Sequence, residues 1–292
     1  MSGSFMVWNQ IYAQDLWAKE LGIQIVHCSA SDNKLFLPFI PRNLQAEGGV
    51  IHGGIIGSLL HDAGLSLAAA SVLESDQGAL RCLDFQVNYL KAAKDCDLTA
   101  SARVLRQSRK FVFIQAEVLD PEQQVVAVAR VLFAISKADS PAKTITPYAQ
   151  RDSVVMLTSN PVMDNPMLGM LNTNMQSRRP GFSAASVGKG TCLIQVEDLP
   201  VNRNYKGEIA YGAQIFAADS AGVFSSFTSG EPIKRAATVD LKLTFCEPVR
   251  NEGLNVLGES LVLNDNLIHH QLSIFGKESL ALKAFGTMTL AV

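Results

Sequence analysis

Two carboxylates of this chain stand inside runs of apolar residues, where an unpaired charge is costly and a titratable side chain is a candidate for chemistry. Asp62, with His61 beside it, interrupts the run from Ile55 to Leu73, and Asp219 interrupts the run from Ile209 to Gly222. A buried carboxylate can take a proton from a water or attack an acyl carbon itself. His52, Gly53 and Gly54 precede the first run. Glycines at the start of a helix let a substrate approach the backbone, and the unpaired N–H groups there suit a developing oxyanion. Each residue has a structural rival. Asp219 could pair with a basic neighbour, His52 could be a loop histidine bonded to backbone, and His61 and Asp62 could be satisfied polar groups. Arg106, Arg109 and Lys110 cluster at one hairpin, and Arg203 and Lys206 precede the second run. They could meet phosphates, although such clusters are more often solvated turns.

The elements that must hold these residues are written twice. VIHGGIIGSLLHDAG, from Val50 to Gly64, lies over EIAYGAQIFAADSAG, from Glu208 to Gly222. Farther on, CLDFQVNYL from Cys82 lies over TVDLKLTFC from Thr238, and each alternates as a half-buried antiparallel strand does. In the first, Leu83, Phe85, Val87 and Tyr89 are expected on one face. In the second, Val239, Leu241, Leu243 and Phe245 take that part. Long strands follow in both copies, with Gln115 falling on Gln271. Each half therefore reads as an opening helix, a strand, one long buried helix and a meander of strands. A helix covered by a curled antiparallel sheet is apolar on every side. A transmembrane reading of Ile55–Leu73 fails on His61 and Asp62 at mid-span and on Gly57 and Gly64.

At 292 residues, the length suits two domains of ordinary size. The expected division is residues 1–137, a Pro-, Ser- and Thr-bearing linker over 138–164 with Pro141, Pro147 and Pro161, and residues 165–292. The N-terminal stretch to Gly22 reads as one amphipathic helix and not as a secretory signal. With 48% apolar and 18% charged residues, a disordered chain is excluded. A net charge of −2 without a basic block argues against nucleic acid as a partner. Five scattered cysteines without a CxxC spacing suggest reduced thiols in the cytoplasm and no metal site.

At GGVIHGGIIGSLLHDAG the sequence resembles the phenylacetyl-CoA thioesterase-like branch of the hot-dog superfamily, and the resemblance runs, more weakly, through the second copy. It implies an α+β fold of two hot-dog domains in tandem, each a long central helix wrapped by an antiparallel sheet. It also implies an acyl-CoA thioesterase that needs no cofactor, coenzyme A being part of the substrate. In that family the oxyanion loop comes from one domain, and the carboxylate and a strand hydroxyl come from the other. Carried over, His52, Gly53 and Gly54 supply the loop, with Gly53 the main donor. Asp219 is the general base or nucleophile, and Thr238 the hydroxyl that holds it. The reciprocal set looks degenerate: Ala210 and Tyr211 replace the loop, and His61, Asp62 and Cys82 stand where carboxylate and hydroxyl belong. One composite site is therefore expected, with His61 and Asp62 marking a degenerate second one. Where the family often has Asn, six positions before the His, this chain has Ala46. Gly54, Arg109 and Lys110 are expected to meet the substrate, and a homo-oligomer of double hot-dog units is compatible with this reading. A hot-dog hydratase is ranked lower, because Asp164-Asn165-Pro166 lacks the rest of that family's motif. A non-catalytic acyl-CoA-binding module is the remaining alternative.

Overall fold

The computed structural model describes residues 3–45, 48–72, 79–135, 148, 150–161, 166–230, 233 and 236–292. The chain forms two compact units, one of residues 1–140 with 200–213 and one of residues 141–199 with 214–292. Each has the hot-dog arrangement, a central helix against a six-stranded antiparallel sheet.

The first unit begins with two helices, α1 (Gly3–Tyr12) and α2 (Leu16–Leu21), where the sequence reads as one. The break has a local cause. Asp15 takes an extended conformation and its side chain accepts from Ala18 N, which starts a new helix, and Gly22 ends it at a φ of 74°. A hairpin of β1 (Gln24–Cys28) and β2 (Asn33–Leu37) follows, then the central helix α3 (Gly53–Ser71) and the strands β3 (Leu80–Tyr89), β4 (Leu98–Gln107), β5 (Phe111–Leu119) and β6 (Val125–Ile135). The expected single strand before the long helix is thus two. The sheet runs in the order β1-β2-β4-β5-β6-β3. All residues of α3 from Gly54 to Ala70 are buried, as the run of apolar residues predicts. Asn33 ties this helix to the sheet: its Nδ2 donates to Ala63 O and Ser66 Oγ, both at 2.7 Å, and its Oδ1 accepts from Ala102 N at 2.8 Å. Among the described residues, no helix is long and apolar enough to cross a membrane.

The second unit repeats the plan. It holds α4 (Gln150–Ser159), α5 (Pro166–Arg178), the hairpin β7 (Phe182–Gly188) and β8 (Thr191–Val196), and β9 (Ala237–Phe245) to β12 (Leu282–Ala291) by way of β10 (Leu254–Asn264) and β11 (Leu267–Gly276). Its sheet order is β9-β12-β11-β10-β8-β7. Its helix α6 (Tyr211–Ser226) has its first three residues in the first unit. Gly258 on β10 lets the sheet approach α6 closely, since a Cβ there would sit 2.4 Å from Ala221 O. Helix α4 corrects the linker expected over 138–164. Val154 and Leu157 on its buried face pack with Leu193, Leu257 and Phe275, and that burial holds a helix in a polar stretch. Pro141 and Pro147, like Asp164 and Asn165, lie outside the described residues.

Both post-helix strands depart from simple alternation in the same way. In β3, Cys82 pairs with Phe133 and Asp84 with Leu132, so Leu83 is an extra residue. In β9, Thr238 pairs with Leu290 and Asp240 with Thr289, so Val239 is the extra one. A β-bulge re-aims the side chain before it. Cys82 is thereby buried on the same side as Phe85 and Val87, while Val239 is 38% exposed instead of facing inward with Leu241 and Leu243.

Candidate active-site residues

In the first unit the His-Gly-Gly turn is fixed from several directions. His52 N donates to Asn43 O at 3.0 Å, and Ile51 N donates to Ala93 O at 2.9 Å. His52 is the N-cap of α3: its backbone is extended and its Nδ1 accepts from Gly54 N at 3.0 Å. Tyr89 Oη, arriving from the end of β3, donates to Gly53 O at 2.9 Å. The cap engages the amide of Gly54, whereas Gly53 is the first helical residue, whose N–H has no acceptor within the helix. Asn43 is a positioning residue that sequence reasoning missed. It is buried, donates to Leu21 O at 2.8 Å, and recurs as Asn202, whose carbonyl accepts from Ala210 N at 2.9 Å. The signal was available in PRN and PVN at matching places of the two copies. Ala46, where the family often has Asn, lies outside the described residues.

The second unit brings Asp219 and Thr238 together. Asp219 is 2% exposed among Ile215, Ala217, Ala218 and Ala221, and Thr238 Oγ1 donates to its Oδ1 at 2.8 Å. The bulge at Val239 is what lets Thr238 reach back to the helix. A carboxylate held this way has a fixed rotamer, an apolar setting and a hydroxyl donor, which suits a base or a nucleophile. The same unit buries a histidine deeper in its core. His270 Nε2 lies 2.6 Å from Ser226 Oγ, and burial pushes its pKa down to about 4, so it is neutral at ordinary pH.

His61, Asp62 and Cys82, the set expected to be degenerate, lie within the first unit. His61 Nδ1 lies 3.0 Å from Asp62 Oδ1, and Tyr12 Oη donates to Asp62 Oδ2 at 2.8 Å. Cys82, Tyr211 and Gly212 join them around a pocket that Asp15, Trp17, Tyr205 and Lys206 also line. Its free interior is about 10 Å³, the space of one water. Burial pushes the Asp15 carboxyl up to about 8, helped by the charge of Asp62 and opposed by backbone amides of Ala18, Tyr205 and Trp17. Burial likewise holds the Tyr12 hydroxyl and the Cys82 thiol well above their usual values, so both keep their protons. None of these partners of His61 and Asp62 is visible in the local sequence. Tyr12, Asp15 and Tyr205 come from segments far along the chain.

The basic residues divide. Arg109 and Lys110 are exposed in the turn between β4 and β5 and do not line the pocket. Lys206 does, with Nζ donating to Leu80 O at 2.5 Å. Among the described residues no cluster of His, Cys, Asp and Glu could hold a metal ion.

The sequence pattern of the thioesterase superfamily matches residues 48–127, a span that includes the His-Gly-Gly turn, His61, Asp62 and Cys82. A protein of Halobacterium salinarum, provisionally named an esterase, is 31% identical over 128 residues, which are 41% of this chain and 83% of the relative. The tesB protein of Mycobacterium avium subspecies paratuberculosis superposes with a TM-score of 0.62 at 12% identity, over 97% of this chain and 98% of that one. A protein of unknown function with a hot-dog fold from Alicyclobacillus acidocaldarius gives 0.65 at 14% identity, over 94% and 97%. At such identities these two likenesses speak for the fold.

Proposed function

The chain belongs to the thioesterase superfamily, and from that membership we propose that it hydrolyses acyl-CoA thioesters to the free acid and coenzyme A. The observation that carries the reading is the buried pair of the second unit, Thr238 Oγ1 donating to Asp219 Oδ1 at 2.8 Å. These are the two positions at which the family resemblance asks for a hydroxyl and a carboxylate.

The chemistry follows from the charges that form. As an oxygen nucleophile bonds to the thioester carbon, the carbonyl oxygen takes on negative charge. Gly53 N–H, in the first turn of α3 with the helix dipole behind it, is the donor assigned to it. His52 shapes that turn, and Gly54 keeps the approach clear of a side chain. Asp219 either takes the proton of an attacking water or attacks the carbon and forms an anhydride that water then cleaves. Thr238 orients the carboxylate in both routes. The proposal assigns the loop of the first unit and the carboxylate of the second to one composite site. It assigns the phosphates of coenzyme A to Arg109 and Lys110, and it requires no metal or organic cofactor. The setting is that of a cytoplasmic enzyme.

Thiol release from short, medium, long and aromatic acyl-CoAs tests this directly. Asp219→Asn should lower turnover of medium, long and aromatic substrates by about 10² or more, the usual effect of removing a positioned base. Asp62→Asn should change those rates by less than about threefold, as for a residue outside that chemistry. Full turnover by a folded Asp219→Asn protein would remove Asp219 from the mechanism.

A further inference from the structure

We propose that Tyr89 is a positioning residue for thioester hydrolysis: its hydroxyl pins the peptide between Gly53 and Gly54 and so holds the Gly53 N–H, the donor assigned to the oxyanion, in place before substrate arrives. The proposal rests on the reading of the chain as a thioester hydrolase and adds to it the group that keeps the oxyanion turn rigid.

Two successive glycines give access at the expense of rigidity. Without side chains, Gly53 and Gly54 let a thioester close on the backbone, but the same freedom lets their peptide planes turn. An oxyanion donor works by being aimed beforehand, so a turn free to rock loses part of the gain. The surrounding bonds remove that freedom one peptide at a time. In the peptide that carries the Gly53 N–H, the carbonyl of His52 accepts from Ile55 N at 2.9 Å and from Ile56 N at 3.2 Å. The next peptide is held at both ends: Gly53 O accepts from Tyr89 Oη at 2.9 Å, and Gly54 N donates to His52 Nδ1 at 3.0 Å. Phenol, peptide and imidazole thus form one chain in which each hydrogen bond polarises the next. Accepting on Nδ1 also leaves the proton of the neutral imidazole on Nε2. His52 belongs to the turn itself, whereas Tyr89 reaches it from the end of β3, where its backbone pairs with Ala127. The hydroxyl therefore fastens the turn to the sheet.

The repeat gives independent support. Tyr89 lies over Phe245, and Gly53 lies over Tyr211. The copy that keeps the His-Gly-Gly turn carries the hydroxyl, and the copy with Ala210-Tyr211-Gly212 in its place carries a ring without one. A ring needed for packing alone would serve equally well as Phe in both. Phe245 is 4% exposed at the end of β9, so the fold accommodates Phe at this place.

The test uses the full chain, with Tyr89→Phe removing the hydroxyl alone and octanoyl-CoA as the substrate. Loss of one neutral hydrogen bond that aims the donor should lower kcat by about 5- to 10-fold and leave KM within about twofold. Amide hydrogen exchange followed by NMR should quicken by a similar factor at Gly53 and Gly54 and stay unchanged in the middle of α3. Full kcat with unchanged exchange overturns the proposal. A raised KM at full kcat also overturns it, by making Tyr89 a substrate contact, as does faster exchange along the whole of α3, by making it a residue of general stability. Asp219→Asn, measured alongside, separates the two readings. If it keeps full turnover while Tyr89→Phe loses kcat, the assigned carboxylate falls and the role of Tyr89 stands. If it is inactive while Tyr89→Phe is unaltered in kcat and exchange, the carboxylate stands and the role of Tyr89 falls. If the wild-type protein releases no thiol from any acyl-CoA, the functional reading falls and the exchange at Gly53 and Gly54 decides alone: unchanged rates overturn the pinning, and faster rates uphold it.

Discussion

Asp219 and Asp62 are both buried carboxylates on central helices, yet the groups that donate to them differ. Thr238 gives Asp219 a hydroxyl across 2.8 Å, whereas Asp62 receives a phenol and an imidazole N–H. A hydroxyl that orients a base should affect turnover more than binding. Thr238→Val keeps the shape and removes the donor. With hydrogen bonds to charged groups worth about 1.5–3 kcal/mol, kcat should fall by about 10- to 100-fold and KM should change little. Steady-state kinetics on a medium-chain acyl-CoA decide it, and a raised KM at full kcat would make Thr238 a substrate contact instead. How much of this was legible differs by residue. Asp219 and Thr238 could be placed because the repeat sets them over His61 and Cys82, positions at which the family resemblance asks for a carboxylate and a hydroxyl. Asp15 and Tyr12 could not be linked to Asp62, because what joins them is tertiary packing of α1 and α2 on α3, and sequence spacing carries no trace of it.

At the scale of elements, helix boundaries and strand registers do the positioning, and they were read less well than the elements themselves. The long buried helices and the alternating strands followed from apolar pattern. The bulges at Leu83 and Val239 did not, because alternation in the sequence is unbroken and only the ladder to β6 or β12 shows which residue is extra. The break between α1 and α2 also has a consequence for stability. Asp15, which caps α2, faces Asp62 from α3, Tyr12 from α1 and Tyr205 from the 200–213 segment. Its folded pKa, pushed up by burial to about 8, lies above the ordinary aspartate value of 3.8, so between the two the folded state binds a proton that the unfolded state has released. Its contribution is thus fully present below about pH 4 and is lost as the pH rises through about 8. Asn at this position keeps the cap and never titrates. Urea unfolding across this range should therefore show Asp15→Asn gaining on the wild-type protein as pH rises. A difference between the two that does not vary with pH would mean that Asp15 is ionised in the folded state.

Over the whole molecule, the duplication is recorded in irregularities as well as in residues. Besides Leu83 and Val239, β4 is bulged between Val104 and Arg106, and β10 between Ser260 and Val262; β5 shifts register between Val118 and Leu119, and β11 between Ile274 and Phe275. These sites match at the offset seen between the sequences of the two strands that follow the helices. Backbone kinks of this kind are kept because they aim side chains. The duplication does not divide the chain cleanly, however, and here the expected boundaries say less than the packing. The first unit is completed by residues 200–213. Arg203 O accepts from Leu16 N at 3.1 Å and Trp17 N at 3.2 Å, Gly212 O accepts from Ser58 Oγ at 3.1 Å, and Lys206 Nζ reaches Leu80 O. A chain ending at Ser140 would uncover Trp17 and leave Ser58 and the start of α2 without these partners. Several buried groups losing partners at about 1–3 kcal/mol each would consume much of the stability of a domain this size. Residues 1–140 should therefore unfold at a much lower urea concentration than the full chain, with weakened near-ultraviolet circular dichroism from Trp8 and Trp17. Joining residues 200–213 to its end through a flexible Gly-Ser linker should restore part of both signals. If residues 1–140 alone keep the full midpoint and the tryptophan signal, the returning segment is dispensable and the first half is a self-sufficient domain.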